Sequence, residues 1–422
     1  MRLGILGLAC LLPIGFLQAC RRADANAERL SSLPCQVVLA PDEKSDSEIA
    51  RLQQDIRLGK NPSIKLERLG WAFVEKATER SDPGYFKLAE QCAQCLLARE
   101  VEMRQSALLL QGHALHNMHR FHEAESLARE LTEKRGNPFD FGLLGDTLLE
   151  QGKLDESAKA YQKMMDLKPG PYAFARTAQL RWMFGDVKGA MDMASLAARS
   201  GNASDPQTAW VLTRLAVLEL QTGDLKAARG AADAAVAGSP NYAPAALAQG
   251  RVLYASGNRQ GALVALRHAV SINPLPEYLW WLADVLRQDG NEPEARQVEE
   301  QLEQSGPQLD PRTFALYLAT RNRDLSQALN LAEAELAQRG DAFSYDALAF
   351  TQYAASRHEA TSNMERALAQ GTQDGRLYLH AALIASRNGN RKQFLQFRSK
   401  AISQRHTLLP SELALLLSSV KA

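Results

Sequence analysis

The sequence predicts an all-helical fold, made by stacking one helical hairpin about ten times, and three observations predict it. Apolar residues recur at helical spacing, as Phe141, Leu144 and Leu148 do, and no run alternates in the pattern of a strand. A small residue returns at one place in successive first helices, at Gly112, Gly145, Ala178, Ala216, Gly250, Ala283, Ala349 and Ala382. A second small site returns with it, at Ala124, Ser157, Ala190, Ala228, Ala262, Ala295, Ala328 and Ala360, and so does a turn glycine, at Gly152, Gly185, Gly223, Gly257, Gly290 and Gly389.

The stretch from Pro138 to Pro169 shows one unit. Phe141, Leu144, Gly145 and Leu148 share a helix face, and Gly152 ends that helix because a residue without Cβ tolerates positive φ. Asp155 and Glu156 open the next helix at its electropositive end. Ser157, Tyr161 and Met164 form its buried face, and Pro169 closes the unit. This order, repeated at a period of about 34 residues, resembles the tetratricopeptide repeat. The resemblance implies a right-handed solenoid, a non-catalytic scaffold, and a concave groove lined by the first helix of each unit.

Composition narrows the functional classes. Lys and Arg number 49 against 48 acidic residues, so the clustered basic excess that phosphate binding requires is missing, and nucleic acid is not an expected partner. Ser, His and Asp are scattered, no Gly-rich loop follows a strand, and paired carboxylates such as Glu299 and Glu300 are usual on a solvated helix face. No catalytic residue, metal or cofactor is assigned.

Residues 1–19 read as a signal peptide: Arg2 is followed by an apolar run that is shorter than a spanning helix and contains Pro13 and Gly15. Leu17, Gln18, Ala19 and Cys20 resemble a bacterial lipobox, which implies a lipidated Cys20. Arg21 after it implies the outer membrane facing the periplasm. The alternatives are cleavage near Ala23 to Ala27, giving a soluble periplasmic protein, and a retained anchor. Residues 20–46 mix Pro, Ser and charges without a period and read as a tether.

Residues 47–104 form a divergent helical repeat. Leu66, Leu69, Gly70 and Phe73 mimic a first helix and Ala89, Ala93 and Leu96 a second, with a longer turn between. Three cysteines outside the leader, Cys35, Cys92 and Cys95, admit three readings. Cys35 pairs with one of the other two in an oxidising compartment; Cys92 and Cys95 join His113 and His116 in a zinc or thiol-sensor shell; or all three are buried thiols.

The array spans 105–405, with units starting near Gln105, Pro138, Pro171, Ala209, Ala243, Pro276, Leu309, Asp341 and Gly375. An insertion lies at 201–208. The pattern weakens after Leu309, where Leu316, Arg323 and Glu335 occupy sites that elsewhere hold small or apolar residues. Residues 406–422 hold a capping helix in which Leu413, Leu416 and Leu417 shield the last apolar face; the alternative is that this helix docks on a partner. The groove set comprises Trp71, Phe139, Tyr172, Trp182, Trp210, Tyr254, Trp280 and Tyr317, with Arg251, Arg287 and Arg321 as charged clamps. His113, His116, Phe350, Tyr353 and Asp284 lie on the same face. Aromatics and Arg dominate binding hot spots, so the expected ligand is a peptide or partner protein. A glycan-binding envelope component and a metal- or thiol-responsive sensor are the competing readings.

Overall fold

The computed structural model describes residues 33–40, 47–80, 82–99, 102–202 and 206–419. The leader, Cys20 and most of the tether lie outside them. Among the described residues there are twenty-three α-helices and no strand, and no helix is long and apolar enough to cross a membrane. They divide into two compact units between Met118 and His119.

The first unit holds α1 (Leu33–Val38), α2 (Ser47–Arg57), α3 (Pro62–Arg80), α4 (Gly84–Arg99) and α5 (Arg104–Asn117). Its core gathers Leu52, Ile56, Leu66, Leu69, Phe73, Cys92, Leu96 and Leu110. The tether reading is corrected for 33–40. Cys35 is buried and bonded to Cys95, Val38 is buried beside it, and Gln53 Nε2 donates to the Val38 and Ala40 carbonyls at 2.8 and 3.2 Å. The boundary at 104 is corrected as well. Ala107, Leu110 and Ala114 of α5 belong to this core, and α5 packs on α3 so closely that a Cβ on Gly70 would lie 2.2 Å from Leu110.

The second unit begins with α6 (Phe121–Lys134), followed by hairpins α7 (Pro138–Glu150) with α8 (Leu154–Leu167), and α9 (Pro171–Met183) with α10 (Val187–Ser200). It continues through α11 (Pro206–Thr222), α12 (Leu225–Gly238), α13 (Ala243–Ala255), α14 (Arg259–Ile272), α15 (Pro276–Gln288), α16 (Glu292–Leu309), α17 (Pro311–Arg321) and α18 (Leu325–Gln338). The last helices are α19 (Ala342–Ala354), α20 (Ala360–Ala369), α21 (Gly375–Arg387), α22 (Arg391–Ser403) and α23 (Pro410–Ser418).

Proline stands in the first turn of α7, α9, α13, α15 and α17, where its missing N–H costs nothing. Asn or Asp side chains cap many starts, as Asn137 does by accepting from the Phe139 and Asp140 amides. Every small site named above is buried. Two of them, Gly145 and Ser157, bond directly: Ser157 Oγ donates to the Gly145 carbonyl at 2.9 Å. The turn requires left-handed backbone whichever residue supplies it. Gly152 sits at φ 70°, and His119 and Ser356, in units without the glycine, adopt 60° and 58°.

Early and late hairpins of the second unit meet. Thr372 Oγ1 donates to the Met183 carbonyl at 2.8 Å, Gln373 Nε2 to Gly185 O at 2.8 Å, and Gln221 Nε2 to Gln373 O at 2.6 Å. Arg339 pairs with Glu150. Gly340 lies so near the turn at Gly152 that a Cβ there would come within 2.1 Å of its carbonyl oxygen.

Candidate functional site

This closure creates an inner face between early and late repeats; of the predicted groove set Trp182 lines the cavity there, and several of the others are not free. Trp182 is buried; its Nε1 donates to Gln221 Oε1 at 3.1 Å and its ring stacks on Phe343 at 5.5 Å. Trp280 and Tyr317 are fully buried, edge to face at 5.6 Å, with Arg376 over the Trp280 ring. Phe350 is buried against His380. The expectation that these rings stand open is corrected, because Phe343 of α19 covers Trp182, Arg376 of α21 covers Trp280, His380 of α21 covers Phe350, and Tyr317 is enclosed by Trp280 and its neighbours. Arg321 is committed to Asp284 Oδ1 at 2.7 Å and Glu299 at 2.9 Å, and Arg287 also pairs with Glu299.

Other predicted residues remain accessible. Phe139 and Tyr172 are exposed and meet edge to face at 6.2 Å, with Lys168 over Phe139. Trp210 and Tyr254 are half-buried. In the first unit, half-buried Trp71 packs edge-on against His113 at 5.2 Å.

A cavity of about 310 Å³ lies between the early and late repeats, lined by Trp182, Gln179, Arg214, Arg312, Arg339 and Phe343 among others. Its carboxylates are engaged: Glu150 with Arg339, Asp341 with Arg312, Asp346 with His380, Glu277 with Arg251, and Asp310 with the Thr313 amide. Arg214 lies 4.8 Å over the Trp182 ring. Burial, and then the neighbouring Arg251 charge, push its pKa down. Sequence reasoning missed Arg214, although its place four residues after Trp210 puts both on one side of α11. On the same helix burial and then Asp224 push the Glu219 carboxyl up to about 7.

The C-terminal segment occupies part of the same face. Arg251 Nη2 donates to the Thr407 carbonyl at 3.1 Å, the Ser411 amide donates to Asp284 Oδ2 at 2.8 Å, and Arg376 Nε donates to Glu412 Oε1 at 2.5 Å. Leu409 joins the core of Trp280 and Tyr317. Leu416 is buried and Leu413 partly so against α21 and α22, the last repeat, among residues that include Tyr378, Leu379 and Phe397; the capping reading is corrected only at Leu417, which is exposed.

The zinc shell loses a member, since the Cys95 sulfur is bonded to Cys35. Cys92 is buried, and that burial pushes its thiol well above the ordinary range. Among the described residues no group of three or more His, Cys, Asp and Glu side chains is placed to hold a metal ion.

A tetratricopeptide repeat family model matches residues 109–172 and 247–310. Over those residues the chain reads as tetratricopeptide repeats. Such repeats in general mediate protein–protein contacts without catalysis. No curated protein matches the chain. Among solved structures it is similar to the Pseudomonas aeruginosa pilF protein, at 14% identity over 48% of this chain and 92% of that one, with a TM-score of 0.41. It is also similar to YrrB, described as a tetratricopeptide repeat protein with an unusual peptide-binding site, at 16% over 40% and 86%, with a TM-score of 0.30. Human IFIT1, a dimer with PPP-AAAA, matches at 13% over 90% and 94%, with a TM-score of 0.46. At these scores, what those proteins bind carries no argument for this one.

Proposed function

We propose that the protein is a non-catalytic scaffold of the bacterial cell envelope, exported and lipid-anchored through Cys20, which holds a segment of a partner protein on the inner face of its second unit. The observation that carries this reading is the cavity of about 310 Å³, within the usual size range of ligand sites. It presents the half-buried Phe343 ring beside Arg214, a guanidinium held over the buried Trp182 ring rather than in an ion pair. Micromolar affinity, about −8 kcal/mol, suffices for reversible assembly on such a face. Export is supported by the buried Cys35–Cys95 disulfide, because such bonds persist in oxidising compartments.

The test places a photo-crosslinking amino acid at Gln179, which lines the cavity, or at Val264, which is exposed on α14, in the full chain in its own cells. A discrete protein cross-linked from Gln179 and not from Val264 supports the reading. The same species from both positions, or none from Gln179, refutes it.

A further inference from the structure

We propose that residues 404–418 are a built-in ligand of the inner face, and that the partner is a protein segment with the same chemistry, which binds by displacing them. That chemistry is a helix start of the form Leu-Leu-Pro-x-Glu-Leu, read from Leu408 to Leu413. The inference rests on the scaffold reading above and names what the inner face recognises.

The segment is held as a peptide ligand is held. Its backbone supplies one acceptor, Thr407 O to Arg251, and one donor, Ser411 N to Asp284. Its single carboxylate, Glu412, meets Arg376, and also caps its own helix by accepting from the Leu409 amide at 3.0 Å. Leu408 and Leu409 supply the buried apolar anchors. A foreign segment needs these same groups in this order, and proline after the second leucine fixes the helix start without loss of a hydrogen bond.

Two of the three receptor groups keep a charged partner without the segment: Asp284 keeps Arg321 at 2.7 Å, and Arg251 keeps Glu277 at 3.9 Å and the Trp281 ring. Arg376 gives up its ion pair with Glu412 and retains only the Trp280 ring and the weaker field of Glu277 and Asp374. An unpaired buried ion is costly, so an incoming segment must supply a carboxylate in the place of Glu412. The resident is also an imperfect fit, since Arg251 Nε is buried without an acceptor.

Helix α22, immediately before the segment, buries Ala401 and packs Phe397 and Ile402 partly against α21, leaving most of the rest of its length to solvent. A cleft of about 260 Å³ runs beside the segment, lined by Tyr254, Leu408 and Leu413. An incoming chain can engage Tyr254 there while the resident is still in place.

The test uses a fluorescent synthetic peptide of residues 404–419 and its fluorescence anisotropy with three proteins: the full chain, a chain ending at Ser403, and the full chain carrying Leu409→Ala with Glu412→Ala. Binding at least tenfold tighter to the shortened and substituted proteins than to the full chain is expected, with a peptide carrying Glu412→Gln losing about tenfold. Equal binding to all three, or binding to none while circular dichroism remains helical, overturns the proposal. Collapse of helicity in both altered proteins also overturns it, since the segment would then be an integral part of the fold. The peptide assay and the Gln179 cross-link fail separately: a bound peptide with no cross-linked partner sinks the scaffold reading, and a cross-linked partner with no peptide binding sinks this one.

Discussion

Reduction of the Cys35–Cys95 bond should loosen the first unit and leave the second unchanged. The bond joins residues 60 apart in sequence. Closing a loop of that length removes unfolded-chain entropy worth about 4 kcal/mol at room temperature in the chain-entropy account. Spread over one cooperative unit, about 4 kcal/mol corresponds to roughly a thousandfold rise in the population of the open form. Reduction is a cleaner perturbation than Cys35→Ser, because it adds no buried hydroxyl. The assay is amide hydrogen exchange by mass spectrometry, with and without a phosphine reductant, and alkylation mapping to prove that both thiols are free. Peptides from α2 to α5 should lose protection by two to three orders of magnitude (about 4 kcal/mol over 1.36 per decade), while peptides from α7 to α15 stay as they were. Protection in α2 to α5 unchanged on reduction would show that the core of Leu52, Leu66 and Leu110 holds this unit alone. Equal loss in both units would show that they unfold together.

Gly145→Ala should cost about 1–3 kcal/mol by overpacking. The new Cβ would lie 2.2 Å from the Tyr161 ring, which is tied by its hydroxyl to Asp146; a urea midpoint equal to that of the parent would contradict this. Glu219, with its carboxyl raised to about 7 from an ordinary 4.5, binds its proton more tightly when folded. Its stabilising contribution is full below about 4.5 and is lost as pH rises through about 7. Glu219→Gln should therefore raise the melting temperature at pH 8 and change it little at pH 4.5, and the opposite order would overturn the assignment. Cys20→Ala should move the protein from the membrane pellet to the soluble fraction after cell lysis, and continued sedimentation would remove the lipid anchor from the proposal. Cys92 should resist iodoacetamide at pH 8 in the folded chain and react once urea is added, because burial keeps both reagent and negative charge away.

The repeat was legible because it is local. Each small residue meets its neighbour within one hairpin, as Gly145 meets Ser157 and Tyr161, so period and residue type alone specify the contact. The first unit was harder to read. Its α1 consists of six residues held by a disulfide and by the Gln53 and Arg57 side chains, none of which leaves a periodic trace. The aromatic groove set was read by one rule, a shared helix face. What the rule could not supply was whether that face would stay open.

From the sequence alone came the helical hairpins, their turns and their small contacts, because those forces act between residues a few positions apart and repeat in register. The tertiary structure alone decided that Thr372 and Gln373 reach the turns near Met183 and Gly185, and that Ser411 reaches Asp284. Those bonds run between loop and tail groups more than a hundred residues apart, where no repeat constrains the residue. Their partners are set by the curvature that many nearly identical packing steps add up to, a sum that no single step in the sequence displays.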